Sequence, residues 1–185
     1  MQVGPGSVEP TKFNDMIISC FPAIASPSAR ILILGSMPGK KSLEMNQYYA
    51  HPRNLFWPFM AELLGFDKEL DYQQKTFSLI KNKIALWDVL RHCHREGRLD
   101  QAIQKDSMIP NDFITFLQEH SDLHSIFFNG KKAEDVFTKL VKPKLSKQFP
   151  ALEFIGLPST SPANASIKLN DKMEKWSEIL TSLKK

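Results

Sequence analysis

Cysteine is scarce in this chain, which has only Cys20 and Cys93 among its 185 residues. The two lie far apart and form no CxxC pair, so neither a structural zinc site nor a four-cysteine iron–sulfur cluster has enough thiolate ligands. Two buried or partly buried thiols are typical of proteins in a reducing compartment. We therefore expect a cytoplasmic protein that holds no metal and needs no cofactor.

Long hydrophobic runs are also missing, and no stretch is long enough to cross a bilayer. The segment MQVGPGSVEP at 1–10 lacks a basic stretch followed by an apolar one, which argues against a signal peptide. Its glycine, proline and serine content predicts a flexible lead. The remaining residues, 11–185, suit a single domain, which we expect to be monomeric and to have no contact with a membrane.

The chain has only a slight excess of positive over negative charge. The net charge is +4, and the 42% of hydrophobic and 24% of charged residues indicate a globular, soluble chain. A mildly basic protein favours an anionic partner without identifying it.

Four short apolar segments predict strands that are buried on both faces of a sheet, at 30–35, 84–90, 125–130 and 152–157. Helices are predicted around them, at 11–21, 54–66, 68–82, 109–119, 131–140 and 168–183. This alternation predicts an α/β fold, a three-layer αβα sandwich around a central four-stranded, mostly parallel sheet. All four strands then end along one edge, where open α/β sheets bind ligands.

Two polar loops begin at that edge of the predicted sheet. The first loop is GSMPGKKSLEMNQYYAHPRN, and the second loop is LPSTSPANA. Asp88 and Asn129 come at the ends of the other two strands. The first loop is a poor match to a nucleotide-binding P-loop, because only three residues separate Gly35 from Gly39 and Pro38 removes an N–H donor. Two such loops could clamp one phosphate-bearing ligand from both sides.

The first loop and the LFW that follows it resemble motif one of the uracil-DNA glycosylase superfamily, in particular its branch of DNA-deoxyinosine glycosylases. The resemblance extends to LWDVL, CHREGRLDQAI, FFNGKKA and LPSTSPANA, in that order along the chain. It implies a glycosylase of base excision repair that flips a deaminated base out of DNA and hydrolyses its N-glycosidic bond. The implied partner is DNA that contains hypoxanthine, with uracil or xanthine as further substrates.

The resemblance assigns the catalytic role to an asparagine just before FW, which is Asn54 here. Other branches place an Asn or Asp directly after the first strand, where this chain has Ser36 and Met37. Bond cleavage of this kind needs a positioned water and donors to the leaving base rather than a strong nucleophile. The amide of Asn54 can accept from a water and donate to another group. Spacing alone favours Asn54 as a helix cap, and both roles can hold together.

Asp88 is the candidate for reading the base, because a carboxylate that ends an apolar strand is costly unless it is paired or faces a polar site. Hypoxanthine and uracil present an N–H beside a carbonyl, which a carboxylate could accept. Adenine and cytosine present a lone pair there and would be repelled. The alternative is that Asp88 caps the next helix or pairs with Arg91 or Arg95, and the residues alone do not decide between these readings.

The other predicted site residues fall into two groups. Beside Asp88, the base pocket is expected to contain Gly35, Ser36, Met37, Tyr49 and Phe56, with the two rings stacking on the base. His51 is a secondary candidate for supporting the leaving base, and Trp57 is expected in the core. DNA phosphates are expected at Pro38, Ser42, Ser159, Thr160, Ser161 and Asn164.

Five cations near the strand ends would attract phosphates without sequence preference: Lys40, Lys41, Arg53, Lys131 and Lys132. None is expected to act as a Schiff-base nucleophile, so the resemblance implies a monofunctional enzyme without lyase activity. Related members carry His or Asn at the start of the second loop, whereas Leu157 cannot donate to a departing base. Such departures leave an alternative, a catalytically silent DNA- or nucleotide-binding module on the same fold.

Overall fold

The structure is a computed structural model that describes residues 16–95 and 103–185. The strands of this part are β1 Met16–Ser19, β2 Ile31–Gly35, β3 Ile84–Asp88, β4 Leu90–Arg95, β5 Ile109–Pro110, β6 Ser125–Asn129 and β7 Glu153–Leu157. The helices are α1 Lys40–Met45, α2 Phe56–Leu64, α3 Tyr72–Lys81, α4 Phe113–Glu119, α5 Lys131–Leu140, α6 Lys142–Gln148, α7 Leu169–Trp176 and α8 Glu178–Leu183.

The central sheet has the order β3-β2-β6-β7, and its neighbouring strands are all parallel. Its strands are the four predicted from the apolar segments, each within two residues of the predicted bounds. The register places Gly35 opposite Asp88 and Asn129 opposite Leu157. The strand ends that lead into the two loops therefore lie along one edge of the sheet, as the sequence predicted, with the end of β6 between them.

Helices cover both faces of this sheet, which confirms the three-layer αβα architecture. Alternate residues of β2 point to opposite faces because side chains alternate along a strand. Leu32 and Leu34 belong to a core that includes Phe137, whereas Ile31 and Ile33 belong to a second core that includes Trp176. The central sheet is thus buried on both faces.

A second, antiparallel sheet of order β1-β4-β5 was not predicted. The helix predicted at 11–21 is wrong over Met16–Ser19, which forms β1 and pairs with β4. Residues 11–15 of that predicted helix, and 96–102 of the motif CHREGRLDQAI, lie outside the described residues. The helix predicted at 109–119 begins only at Phe113, because Ile109–Pro110 pairs with β4 as strand β5.

The remaining predicted helices are present at the expected positions, but their lengths differ from the prediction. The helix predicted at 54–66 runs over Phe56–Leu64 and ends at Gly65, whose positive φ of 71° is typical of a C-cap glycine. The single terminal helix predicted at 168–183 is two helices, α7 and α8, which meet at Ser177. Helices α1 and α6 were not predicted.

Candidate functional site

The Asp88 side chain lies against the backbone of the neighbouring strand at Gly35. A Cβ atom on Gly35 would be 2.4 Å from Asp88 Oδ1 and 3.0 Å from Tyr49 Oη, so only glycine leaves room for this arrangement. Asp88 is 3% exposed. The element after it is strand β4, so Asp88 caps no helix. The structure thus brings together three residues of the predicted base pocket.

Tyr49 has a strained backbone and one ring face against Phe56. Its φ of 55° lies in the left-handed region, which a bulky residue adopts only where its surroundings require it. The two rings stack with centroids 4.1 Å apart at 24°. Phe56 is fully buried, whereas Tyr49 is partly exposed. Phe56 therefore covers one face of the Tyr49 ring, while Tyr49 keeps some contact with the surface.

Tyr48 and Trp57 are core residues that lie next to Tyr49 and Phe56. The Tyr48 hydroxyl donates to the carbonyls of Phe21 and Pro22, and the Trp57 Nε1 donates to the Tyr48 carbonyl at 2.9 Å. Burial, followed by the nearby charge of Asp88, raises the pKa of the Tyr48 phenol well above its ordinary value. Tyr48 is therefore a neutral hydrogen-bond donor, and Trp57 is in the core as predicted.

Asn54 lies one residue before the N-cap of α2, which is Leu55, so its predicted role as the helix cap is wrong. Its Oδ1 accepts from the backbone N–H of Phe56 at 3.0 Å, and its backbone N–H donates to the His51 carbonyl at 2.8 Å. An amide oxygen has two lone pairs, so the bond to Phe56 leaves one for a further donor such as water. The Nδ2 group has no protein partner among the described residues. The hydrogen bond to Phe56 thus holds the side chain at the entry to α2 and leaves the amide able to bind other groups.

The two loops meet directly behind Asn54. The backbone N–H of Leu55, which follows the first loop, donates to the carbonyl of Thr160 in the second loop at 3.0 Å. These residues are more than 100 positions apart in the sequence, yet a backbone hydrogen bond fixes the distance between their loops. Asn54 therefore lies next to the second loop.

Asn129, at the end of β6, holds the second loop through Thr160. Its Nδ2 donates to Thr160 Oγ1 at 2.8 Å, and its Oδ1 accepts from the Thr160 N–H at 2.9 Å. Thr160 is fully buried, so its hydroxyl fixes the loop from the inside. Gly130, with a φ of 96°, allows close approach, because a Cβ there would lie 2.7 Å from Ser159 Cβ.

The other two hydroxyls of the second loop are partly exposed. Ser159 Oγ accepts from the Ser161 N–H at 3.2 Å, and Ser161 Oγ accepts from the Ala163 N–H at 3.3 Å. Asn164 donates from Nδ2 to the Ser159 carbonyl at 3.4 Å. Because both hydroxyl oxygens act as acceptors here, their O–H groups can donate to an anion outside the loop.

Helix α7 anchors the second loop from the opposite side. Trp176 Nε1 donates to the Pro158 carbonyl at 2.9 Å, and Lys172 Nζ donates to the carbonyls of Ser159 and Asn164. Both side chains are buried. Sequence analysis predicted the helix at 168–183 that carries both residues, but it gave neither of them a role at the second loop. Their spacing of four residues, which puts both on one helix face, was the available signal.

The start of the first loop is more buried than a phosphate site requires. Ser36, Met37 and Pro38 are buried directly after β2. Ser42 is also buried, and its Oγ accepts from the Ala50 N–H at 3.3 Å. In this structure Ser42 therefore holds the first loop together.

Several of the candidate cations are paired with acids on their own helices. Lys40 and Lys41 both contact Glu44, and Lys131 contacts Glu134 and Asp135. Hydrogen bonds that the Lys131 ammonium donates to Asp135 and Glu134 raise the pKa of Lys131. Arg53 is exposed and Lys132 is partly exposed. The surface near the loops therefore carries less excess positive charge than the sequence suggested.

Two surface cavities lie away from the loops. One of about 480 Å³ is on α3 and includes Phe77, and one of about 230 Å³ lies between Cys20, Trp87 and Asn111. Neither is lined by a residue of the two loops. No helix in residues 16–95 and 103–185 has the length and apolar character to cross a membrane. The same residues contain no cluster of three or more His, Cys, Asp or Glu side chains arranged to hold a metal ion.

Comparison with known proteins agrees with this fold. The family described as the uracil DNA glycosylase superfamily matches residues 22–184. A hypoxanthine DNA glycosylase of Methanosarcina acetivorans is 34% identical over 165 residues, which are 89% of this chain and 98% of that protein. A hypoxanthine DNA glycosylase of Methanosarcina barkeri is 39% identical over 114 residues, 61% of this chain and 71% of that protein.

A solved structure has the same architecture. It is the solution NMR structure of a Methanosarcina acetivorans protein proposed to be a uracil DNA glycosylase. It matches with a TM-score of 0.76 at 33% identity, over 92% of this chain and 100% of that chain. This chain belongs to the uracil DNA glycosylase superfamily.

Proposed function

We propose that this protein is a monofunctional DNA glycosylase that removes hypoxanthine from DNA by hydrolysing its N-glycosidic bond. The observation that carries the proposal is the hydrogen bond between Leu55 and Thr160, which joins the Asn54 region to the serine-rich second loop. A base and the phosphate beside it need recognition groups at a fixed separation. The similarity to two hypoxanthine DNA glycosylases supports the choice of base.

Asn54 is the proposed catalytic residue. Cleavage proceeds through a state in which positive charge develops on the deoxyribose and negative charge develops on the leaving base. The second lone pair of Asn54 Oδ1 accepts from a water molecule, and Nδ2 donates to the substrate. The hydrogen bond between Oδ1 and the Phe56 N–H also restricts the side chain to one orientation. This fixed position is what a weak catalyst needs, since water has to be held in line with the bond.

Asp88 and Tyr49 are the proposed base-reading residues. A carboxylate oxygen against Gly35 accepts the N–H of hypoxanthine that lies beside its carbonyl group, and the exposed face of Tyr49 stacks on the ring. Adenine has a lone pair at the same ring position and is repelled by the carboxylate. Because Asp88 is buried, water competes little for this contact.

Ser159 and Ser161 are the proposed phosphate contacts, with O–H groups directed outward from the second loop. Phosphate contacts of this kind give affinity without reading sequence. They make binding sensitive to salt, because each neutralised phosphate releases counterions. A DNA-binding constant that does not change between low and high salt would contradict the proposed phosphate contacts.

The decisive experiment incubates the protein with duplexes that carry one deoxyinosine, deoxyuridine or deoxyxanthosine and then cleaves abasic sites with alkali. The proposal expects cleavage after alkali, strongest at deoxyinosine. No cut without alkali is expected, because no lysine acts as a nucleophile. A shifted but uncut band in every lane would instead indicate a catalytically silent DNA-binding module.

The Asn54 assignment is tested with two variants. Asn54→Ala is expected to lower single-turnover excision by about 100- to 1,000-fold, and loss of the hydrogen bond from the Phe56 N–H costs about 1 kcal/mol of stability. Asn54→Ser keeps an oxygen that can accept from this N–H but loses the amide, so it is expected to have nearly normal stability and the same low activity. Asn170→Ala, on exposed α7 surface, is the control. Full activity of Asn54→Ser would show that the hydrogen bond to Phe56 is the whole role of Asn54.

The Asp88 assignment is tested with Asp88→Asn, which keeps the shape but presents a donor as well as an acceptor to the base. We expect it to relax or abolish the preference among bases, measured as relative excision of hypoxanthine and uracil with an adenine duplex as control. Unchanged rates on every duplex would remove Asp88 from the base-reading role.

The proposed enzyme acts as a cytoplasmic monomer and needs neither metal nor cofactor. Cys20 and Cys93 are both free thiols, which suits a reducing compartment. Burial raises the pKa of the Cys20 thiol, so Cys20 stays protonated and unreactive. Light scattering of the purified protein tests the oligomeric state, and excision in the presence of a chelator tests the independence from metals.

A further inference from the structure

Lys172 is a buried cation that lies directly behind the second loop. Its side chain is 3% exposed, and Nζ donates to the carbonyls of Ser159, at 3.0 Å, and Asn164. Burial lowers the pKa of the Lys172 ammonium group. Within the part of the chain that the structure describes, no carboxylate lies within salt-bridge distance of it. The two carbonyls are therefore its protein partners at Nζ.

Holding two carbonyl groups with a buried lysine costs more free energy than holding them with a neutral donor. A neutral donor such as an amide makes the same hydrogen bonds, whereas a buried charge without a counterion loses hydration that two carbonyls replace only in part. The second loop contains no acidic residue that could neutralise the charge. The positive charge is therefore the property that distinguishes Lys172 from a neutral donor at the same position.

The position of this charge relative to the loop suggests what balances it. The ammonium group holds the two carbonyls inward, while the hydroxyls of Ser159 and Ser161 lie on partly exposed residues of the same loop. An anion bound to those hydroxyls from outside would be separated from Lys172 only by the loop backbone. Such an anion would also be attracted through a region that excludes water, where charge interactions are strong.

We propose that Lys172 is a positioning residue for DNA binding, which holds the second loop in its phosphate-binding conformation and supplies the charge that offsets a bound backbone phosphate. This inference rests on the proposed function of the second loop. Lys172 does not touch the DNA. It acts through the carbonyls of Ser159 and Asn164, and its effect falls on affinity rather than on the chemical step.

The test measures binding of the full chain to a fluorescent undamaged duplex over a range of salt concentrations. Lys172→Met removes the charge and both hydrogen bonds, Lys172→Gln removes the charge and keeps donors for the carbonyls, and Lys172→Arg keeps the charge. Lys175→Met is the matched control, because Lys175 is on the same helix, is exposed and pairs with Glu178. Thermal melting of each variant reports whether the fold is retained.

We expect Lys172→Met and Lys172→Gln to bind about tenfold more weakly at low salt and to lose about 0.9 from the slope of log K against log salt concentration. Lys172→Arg is expected to keep the slope, and Lys175→Met to match the wild type. With a deoxyinosine duplex, Lys172→Gln should need about tenfold more DNA for half-saturation but should keep the single-turnover rate at saturation.

A merely structural role would lower the melting temperature of Lys172→Gln without changing its salt slope. That result, or an equal loss of slope in Lys172→Arg and Lys172→Gln, would overturn the inference while wild-type excision of hypoxanthine left the proposed function intact. If Lys172→Met does not fold, Lys172→Gln and Lys172→Arg still decide the question. Absence of both binding and excision in the wild type would instead refute the proposed function.

Discussion

Gly35→Ala tests whether the position of the Asp88 carboxylate matters for excision. The new Cβ would lie 2.4 Å from Asp88 Oδ1, whereas ordinary contacts begin at 3.4 Å, so the carboxylate has to retreat by about 1 Å. The two residues are register partners in neighbouring parallel strands, which prevents the backbones from separating. The side chain of Asp88 therefore has to rotate away from Gly35. The φ of Gly35 is not in the left-handed region, so steric contact is the main penalty.

The expected loss of activity is much larger than the expected loss of stability. Overpacking of this kind costs about 1–3 kcal/mol, which urea denaturation measures. A displacement of about 1 Å in a group that positions the substrate can lower the rate about 100-fold. Single-turnover excision from a deoxyinosine duplex, at a temperature where the variant is fully folded, measures this effect.

Gly39→Ala is the matched control for this experiment, because a Cβ at Gly39 meets no atom within 4 Å and the residue has an extended backbone with a φ of −73°. It should keep its activity and lose at most about 1 kcal/mol of stability, because Gly39 is the N-cap of α1, where alanine is less favourable than glycine. Wild-type excision by a folded Gly35→Ala protein would refute the argument that Asp88 reads the base from its observed position.

Two further predictions concern the supports of the fold. Asn129→Ala removes both hydrogen bonds to buried Thr160 and should cost about 2–3 kcal/mol of unfolding free energy in urea. It should also lose most of the excision activity. A stable but inactive variant would show that the hydrogen bonds between Asn129 and Thr160 serve only the site. Burial and the charge of Arg30 lower the pKa of His124 below its ordinary 6.5. The His124 imidazole therefore binds a proton less readily in the folded protein than in the unfolded chain. The stability that neutral His124 contributes is present above pH 6.5 and declines as the pH falls below 6.5. His124→Gln should therefore lose less stability than the wild type between pH 7.5 and pH 5.5, and equal losses in parallel urea titrations would contradict this reasoning.

The central sheet could be predicted from the sequence because strands covered on both faces appear as continuous apolar runs. Parallel strands then had to end at one edge, which located the two loops. The antiparallel sheet could not be predicted in the same way. Its strand β4 has the sequence LRHCHR, and the exposed Ile17 of β1 made Met16–Ser19 look like part of an amphipathic helix. These short edge strands depend on each other for pairing rather than on a strong local pattern.

The sequence also located the edge of the sheet at which the candidate site lies. Asp88 and the serines of the second loop were selected from the sequence, and they lie at that edge, at the end of β3 and after β7; Asn54 lies just before α2 and next to the second loop. The clamp by Asn129 and the anchor by Lys172 were not foreseen. Both depend on contacts between distant segments, and a lysine on a terminal helix ordinarily indicates a solvated surface. Their roles become visible only when the second loop is in place.

The order in which the chain is synthesised has a consequence for these anchors. Lys172 and Trp176 follow the second loop, so the growing polypeptide leaves the ribosome with the loop exposed before the helix that holds it. A nascent chain that has reached Ala165 contains every strand of the central sheet but neither anchor. Docking of α7 is therefore a late step of maturation, and the second loop lacks its hydrogen bonds from Lys172 and Trp176 until that step is complete.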